Sequence, residues 1–375
     1  MTTVQGITKL PISVKNMEAL KIFEILAETN LKIGQISTKL DCSIVNKALV
    51  QIFSLNESIQ SARIEGTQVT FSDIIEEKKK KNRRWEITEV INYQNALYEG
   101  AQMISQGASI TSKLIKELHE IMMNDGRGTT HAIGEYRNIQ NFIGPTNKIE
   151  DAVYLPVEAN EILDYMQNLE DFIQGKERKR VDHKMDDDIF VFDSSAPPLV
   201  KTAIMHAQFE SIHPFLDGNG RMGRILIAIN LIKEKLIEYP IFLVSEELEK
   251  EKNRYYDLLN GVRGNDPDWA AWIIFFLNAC NRMSDNLLKK LNEADELARE
   301  GLDKCDTKIE EEVWIYTIYE PVVTAAEVAE SIKISQTTAR KALNNLSDKG
   351  LIYGDKSVKR NRKFRNYDLM RVLRE

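Results

Sequence analysis

Apolar residues recur at helical spacing through most of the chain. Leu20, Ile22, Phe23 and Leu26 mark one side of a helix over residues 17–29, after a polar stretch that follows Leu10 and Pro11. Ala48, Leu49, Ile52, Phe53, Leu55 and Ile59 mark a second, running from about residue 44 to Gly66, a residue suited to the left-handed turn that closes a helix. The pattern predicts further helices over residues 85–105 and 112–124, the latter with Leu114, Ile115, Leu118, Ile121 and Met122 on one face and an N-cap signal at residues 109–112. Over residues 134–156 the rhythm changes: Val and Tyr alternate near Gly, Pro and Asn, which predicts a hairpin.

Residues 174–193 are charged and irregular and read as an insertion, after which Pro197 and Pro198 set up a helix over residues 199–212. The apolar run resumes at residues 225–232, and a helix over residues 246–262 contains Tyr255 and Tyr256. Residues 269–288 are strongly apolar and predict a buried helix, followed by a charged helical connector over residues 291–309. Three short helices are then expected at residues 313–319, 324–332 and 335–349, with Thr324 and then Ser335 or Thr337 as N-caps and Gly350 as the stop. Two strands, residues 351–353 and 364–369, flank a basic loop at residues 356–365. The fold class is therefore mainly α with small β elements.

The chemistry concentrates in residues 211–224, which read SIHPFLDGNGRMGR and join two apolar helices. Asp217, Gly218, Asn219 and Gly220 tolerate the positive φ of a tight turn, and that turn opens a second helix at about Asn219 to Gly223. Consecutive backbone N–H groups at such an opening, backed by the helix dipole, favour an anion. Arg221 and Arg224 lie three residues apart on one helical face and can reach the same polyphosphate. Asp217 is placed to hold a divalent cation bridging phosphate oxygens, and His213 is the group here that can take a proton near neutral pH.

Gly218, Gly220 and Gly223 also satisfy GxGxxG, but the dinucleotide fingerprint follows a strand and the preceding segment here is helical in pattern. His206 and His213 are two helical turns apart and with Asp217 suggest metal ligands; a polar group on an otherwise apolar face is more often a hydrogen-bonded core group, and His206 is read that way.

The string matches the Fic family signature HxFx(D/E)GNGRxxR at every fixed position, and the chain resembles that family. The resemblance implies transfer of AMP from ATP to a Ser, Thr or Tyr hydroxyl of target proteins and of the enzyme itself, with release of pyrophosphate. It implies His213 as the base that deprotonates the hydroxyl, Asp217 as the Mg²⁺ ligand, and Gly218, Asn219, Gly220, Arg221, Met222, Gly223 and Arg224 as ATP-binding positions, with Arg224 on the γ-phosphate. Residues 61–66, SARIEG, resemble the inhibitory (S/T)xxxE(G/N) motif of the same family. Ser61, Glu65 and Gly66 are then inhibitory, with Glu65 paired to Arg224 inside the nucleotide site. The hairpin at residues 134–156 resembles the Fic flap, with Ile143, Gly144, Pro145 and Thr146 against the nucleotide and a target segment aligned by strand addition. Tyr255 and Tyr256 resemble paired tyrosines of the adenine pocket. Removal of AMP, with Glu65 positioning a water, is an alternative activity, and a nucleotide-sensing DNA-binding regulator is another.

The 375 residues, 43% hydrophobic and 29% charged, suffice for two or three domains. The expected partition is a helical region with the inhibitory motif at 1–90, a Fic core at 91–290, a linker helix at 291–308 and a winged helix-turn-helix at 309–375. No apolar run reaches the length of a membrane span and the first residues lack signal-peptide character, which predicts a cytoplasmic protein without a membrane partner. Cys42, Cys280 and Cys305 are widely spaced and suggest neither a disulfide framework nor a zinc site. Residues 331–375 hold twelve Lys or Arg against four Asp or Glu, a balance of +8 in a chain of net charge −7, so the residues before them carry −15. That tail predicts a DNA or protein partner of its own, with Gln336, Thr337, Arg340 and Lys341 facing it. A second basic run, Lys78 to Lys81 with Arg83 and Arg84, reads as a solvated helix face. The expected partners are thus ATP, a hydroxyl-bearing target protein and that tail partner, with a homodimer left open.

Overall fold

The computed structural model describes residues 3–77, 82–124, 132–146, 148–176, 188–358 and 360–374. The basic run at Lys78–Lys81 and most of the insertion at 174–193 lie outside the described residues.

Two short strands open the chain, β1 (Val4–Gln5) and β2 (Ile12–Lys15), followed by α1 (Asn16–Asp41) and α2 (Asn46–Ile64). Helix α1 runs well past the expected end at Thr29, because Ile33, Ile36 and Leu40 continue the buried stripe of Ile22 and Leu26. The polar residues between them hide that continuation in the sequence. Next come α3 (Phe71–Glu77), α4 (Trp85–Ser105) and α5 (Ser112–Met123), the last capped by Thr111, whose hydroxyl accepts from Leu114 N–H.

The expected hairpin at 134–156 is reduced to one antiparallel bridge between Ile143 and Tyr154. Its second arm, β3 (Tyr154–Leu155), pairs instead in parallel with β1, Val4 opposite Tyr154. After α6 (Ile162–Gln174), strand β4 (Ile189–Phe192) pairs antiparallel with β2, Ile12 opposite Phe192. The residues ahead of α1 thus strap across the core at two places, a non-local pairing that short strands do not announce.

The centre of the molecule is the pair α7 (Pro198–Ile212) and α8 (Asn219–Lys233), packed on each other and buried along almost their whole length. A helix buried all round needs no polar face, and so residues 225–232 of α8 read as an apolar run, whereas α7 also buries Lys201, Thr202, His206, Gln208 and Glu210. Helices α4 and α5 pack on α8, and α6 packs on α7. Then come α9 (Val244–Lys250), α10 (Lys252–Gly261) and α11 (Trp269–Asp303). Where the sequence predicts a buried helix and a separate connector, α11 is a single helix, since Leu287, Leu291, Ala294 and Ala298 keep the apolar stripe in phase across the expected break. It packs along α1, α7 and α9. Among the described residues no helix is long and apolar enough to cross a membrane.

The remaining elements form a C-terminal unit: α12 (Lys308–Tyr319), β5 (Val322–Thr324), α13 (Ala325–Ser331), α14 (Gln336–Asp348), β6 (Tyr353–Gly354), β7 (Lys363–Arg365) and α15 (Tyr367–Arg374). The strands form one sheet in the order β5-β7-β6. Thr324 and Ser335 cap α13 and α14 as expected, but residues 367–369, expected in a strand, begin α15, which buries Leu369, Met370 and Leu373. This unit rests on the body through α12 against α2 and through α12 and α15 against α11.

Gly301 near the end of α11 makes the last of these junctions possible. A Cβ there would lie 2.1 Å from the Trp314 indole, which is fully buried and tied by its N–H to the Ala298 carbonyl at 2.9 Å. Gly301→Ala is expected to lower the stability by about 1–3 kcal/mol through overpacking. Denaturant titration followed by tryptophan fluorescence reads the change; an unchanged midpoint would mean that the α11–α12 contact does not limit unfolding.

Candidate active site

The loop between α7 and α8 is shaped from its own residues outward. His213 ends α7 in the left-handed region, φ 51°, and Gly218 precedes α8 with φ 77°. Positive φ at both ends turns the chain sharply enough to bring α8 back against α7. Asn219 closes the loop like a clasp: its Oδ1 accepts from Phe215 N–H at 2.9 Å and its amide donates to the Phe215 carbonyl at 2.9 Å. Asn219 therefore works through loop geometry, with its side chain turned away from solvent.

Three residues that sequence reasoning did not single out fasten the loop to its neighbours. His119 on α5 stacks on Phe215, ring centroids 3.7 Å apart, donates from Nε2 to the Asp217 carbonyl at 3.0 Å and accepts Gly134 N–H at Nδ1. Burial pushes it down to about 4, so it is neutral and keeps this one tautomer. Arg137 donates to the His213 carbonyl at 3.0 Å and to the Ile139 carbonyl at 3.0 Å. Arg263, stacked 3.9 Å from the Tyr154 ring, donates to Ser211 Oγ at 3.1 Å. Each is a single residue on a remote element, and a lone His or Arg leaves no local signature.

His213 donates from Nδ1 to the Glu210 carbonyl at 3.2 Å, which leaves the Nε2 lone pair available. Burial, with Arg263 and Arg137 adding positive charge nearby, pushes it down to about 4. It is thus an uncharged imidazole at neutral pH, able to accept a proton.

The α8 end of the loop carries the charges. Arg221 is buried, ion-paired with Glu89 and 3.6 Å from Asp217. Thr67, just beyond α2, donates to the other Glu89 oxygen at 2.8 Å. Arg224 is 2% exposed and donates from Nε to Ser61 Oγ at 2.8 Å, and from Nη2 to the Ser61 carbonyl at 3.1 Å and Glu65 Oε1 at 2.6 Å. Glu65 caps the end of α2, Gly66 follows with φ 93°, and the carboxylate reaches across to the first turn of α8. A Cβ on Gly220 would lie 2.3 Å from Glu65 Oε1, so the carboxylate sits directly against the opening backbone of that helix. Burial raises Glu65, but the Arg224 guanidinium, with Arg221 and Lys252, outweighs it and holds the carboxyl below its usual value. A negative group thus already occupies the place where the helix dipole and two arginines favour an anion.

Behind Arg224 lies a second polar layer. Burial pushes both Glu57, bonded to Ser245, and Glu210 up to about 7. His206 is fully buried and bonded to the Tyr255 hydroxyl at 2.9 Å, the core role its position suggests. Gly223 serves this layer, since a Cβ there would lie 2.4 Å from Glu210 Oε1, and Met222 is fully buried. The two tyrosines part company: Tyr255 is buried, whereas Tyr256 is 42% exposed beside the end of α2, its hydroxyl 3.4 Å from the Ile64 carbonyl. Ile143 is held by its bridge to Tyr154, while Gly144, Pro145 and Thr146 are exposed, Thr146 bonded to Asp151 at 2.5 Å. Asn141, just ahead of them, donates to the Phe215 carbonyl at 3.3 Å and fixes the base of this segment to the loop.

Comparison with known proteins agrees with this architecture. A Fic/DOC family model matches residues 109–231 and a Fic/DOC family N-terminal model matches residues 24–102, together more than half of the chain. The chain belongs to the Fic/DOC family. The protein adenylyltransferase Fic of Drosophila willistoni is 25% identical over 188 residues, 50% of this chain and 31% of that protein, so the match spans about a third of the relative's length. A Fido domain-containing protein of Dictyostelium discoideum is 39% identical over 101 residues, 26% of this chain and 65% of its own. Among solved structures, a Fic family protein from Desulfovibrio desulfuricans G20 superposes with a TM-score of 0.54 at 20% identity, covering 92% of this chain and 95% of that one. The mainly helical fold is that of Fic proteins.

In the nucleotide-free protein the His213 ring is expected to stay neutral down to about pH 4, because burial and the neighbouring guanidiniums disfavour its charged form. Titration of the ring resonances by NMR checks this, and a midpoint near the ordinary histidine value of about 6.5 would mean that the ring is solvated.

Proposed function

We propose that the chain is a protein adenylyltransferase that moves AMP from ATP to a hydroxyl side chain of a target protein and of itself, and that Glu65 restrains it. The observation that carries the reading is the carboxylate of Glu65 lying on Arg224 and on the opening turn of α8, the place built to receive a phosphate. In the active arrangement the phosphates displace that carboxylate, Arg224 takes the γ-phosphate, and Arg221 and the Gly218 to Gly220 backbone hold the remaining oxygens. Tyr256, with Tyr255 behind it, borders the adenine, and Ile143 to Thr146 guide the incoming segment. His213 Nε2 accepts the proton of the target hydroxyl as its oxygen attacks the α-phosphorus; the P–O bond to pyrophosphate breaks in line, and pyrophosphate leaves.

Asp217 suits a magnesium ion. Its side chain is 48% exposed, Oδ1 accepts Gly218 N–H at 2.6 Å, and Oδ2 has no protein partner among the described residues. Asp217 would hold the ion from the protein side through that free oxygen. When bound, magnesium would neutralise charge building on the phosphates. In the same reading, residues 309–375 form a winged helix-turn-helix that serves a partner other than the modified target, and the protein works in the cytoplasm.

The test is incubation of the wild type, Glu65→Gly and Glu65→Gly/His213→Ala with Mg²⁺ and α-labelled ATP. Label on protein is expected to rise in the single variant and to vanish in the double one; equal labelling of wild type and single variant would end the restraint claim. Without nucleotide, Glu65→Gly is expected to be about 1–3 kcal/mol less stable, because a buried guanidinium loses its charged partner while keeping Ser61. ATP should recover that loss in a melting experiment, and a loss that ATP leaves untouched would place the γ-phosphate away from Arg224.

A further inference from the structure

The C-terminal unit carries charge that adenylyl transfer does not use. Helices α13 and α14 are joined by residues 332–335, with Lys333 at φ 57° making the turn. Ala339, Ala342, Leu343 and Leu346 bury the inner side of α14, while Gln336, Thr337, Arg340 and Lys341 stand exposed on its first turns. Beside the helix, the loop between β6 and β7 exposes Lys356 and Arg360. Arg362 fastens that loop in place: its guanidinium lies 4.7 Å from the Phe364 ring centroid and donates to Asn344 Oδ1 on α14 at 3.1 Å. Helix and loop are therefore held side by side as one surface.

The cations of this surface are available. Arg340, Lys341 and Arg360 make no ion pair among the described residues, and Lys356 meets only Asp348, an exposed contact of 3.0 Å that solvent and salt screen. The next strand behaves differently, since Lys363 and Arg365 on β7 turn inward to Glu76 on α3, at 3.9 and 3.0 Å. Lys363 and Arg365 are thus spent on the body, while Arg340, Lys341, Lys356 and Arg360 face outward.

We propose that this outward face binds duplex DNA, with the first turns of α14 in the major groove and the β6–β7 loop on the adjoining phosphate backbone. The major groove admits an α-helix, and Gln336, Thr337 and Arg340 offer the amide, hydroxyl and guanidinium groups that meet base edges. Lys341, Lys356 and Arg360 supply phosphate contacts. The outer side of the first turns of α14 presents polar and charged side chains, which suits a polyanion; Tyr353 and Val358 are the exposed large apolar residues on β6 and its loop. The +8 balance of residues 331–375 against the −15 of the rest favours approach of a polyanion to this end of the chain. The proposal stands apart from AMP transfer and survives or fails without it.

The experiment uses the full chain and a fluorescein-labelled mixed-sequence duplex of about 25 base pairs, with anisotropy read from about 50 to 250 mM salt. Binding should weaken steeply with salt. Lys341→Ala and Arg360→Ala should each flatten the slope of log K against log salt by about 1, one phosphate contact being withdrawn in each, whereas Arg340→Ala should weaken binding with less change of slope. Arg365→Ala, on the inward pair, should leave the slope as it is. These residues other than Arg365 are exposed, and circular dichroism of each variant confirms the fold. No anisotropy change at the lowest salt, or binding that keeps its slope in the triple variant lacking Arg340, Lys341 and Arg360, overturns the proposal. Self-association in sedimentation that the triple variant abolishes, without DNA binding, overturns it too and assigns the face to a second copy.

Discussion

A guanidinium buried in the middle of a helical core has to be answered by negative charge, and the candidate site is organised around that need. Arg224 sits in the second turn of α8 at 2% exposure, so water cannot solvate it. Ser61 satisfies part of its hydrogen-bonding fork from α2, and a full negative charge must come from elsewhere. Glu65 supplies it from the end of the same helix, one turn further on. Because the demand is for charge and not for a particular residue, two chemically different groups can meet it, a carboxylate from the chain or a phosphate from a ligand. In the proposed reading, competition between them follows from burying one arginine.

The layers around this pair keep the arrangement sharp. Glu57 and Glu210, pushed up to about 7 by burial, stand behind the arginine as a second layer, while Glu65 is held low and is the carboxylate that touches the guanidinium. His119, Arg137 and Asn219 fix the backbone of the loop, so that His213 and the opening of α8 keep a constant relation. Three neutral histidines, His119 and His206 buried and His213 half-buried, serve the site through ring nitrogens as hydrogen-bonding groups and add no charge. Neutrality is what allows positive charge to be concentrated at the two arginines of α8.

The contiguous part of the site is legible in the sequence because its geometry is local. A turn that needs glycine, a helix that opens at Asn219, and arginines three apart all follow from residues 213–224 alone, and the family and mainly helical fold come with them. The parts that pack from a distance are not legible. Arg137, Glu89, Arg263 and His119 come from four separate stretches, and nothing in their neighbourhoods distinguishes them from ordinary surface or core residues. The full lengths of α1 and α11 are hidden for a related reason: charged residues on the outer face interrupt the apolar run, although the buried positions keep their phase. Gly223 shows the limit of motif reading, since its small size is required by Glu210 behind it and so by packing.

The unbroken course of α11 ties the two ends of the molecule together. The helix lies along α1 and α7 in the core and ends beneath α12, which itself leans on α2, the helix that carries Ser61 and leads into Glu65. It acts as a ruler whose length and rotational phase set where the C-terminal unit meets the body. A single residue inserted before Gly301 would turn everything beyond it by about 100° and move it by about 1.5 Å. Trp314 would lose its glycine seat and α12 its bed on α2 in the same step. The chain therefore tolerates little drift in the number of residues between Trp269 and Asp303, however freely their exposed side chains vary.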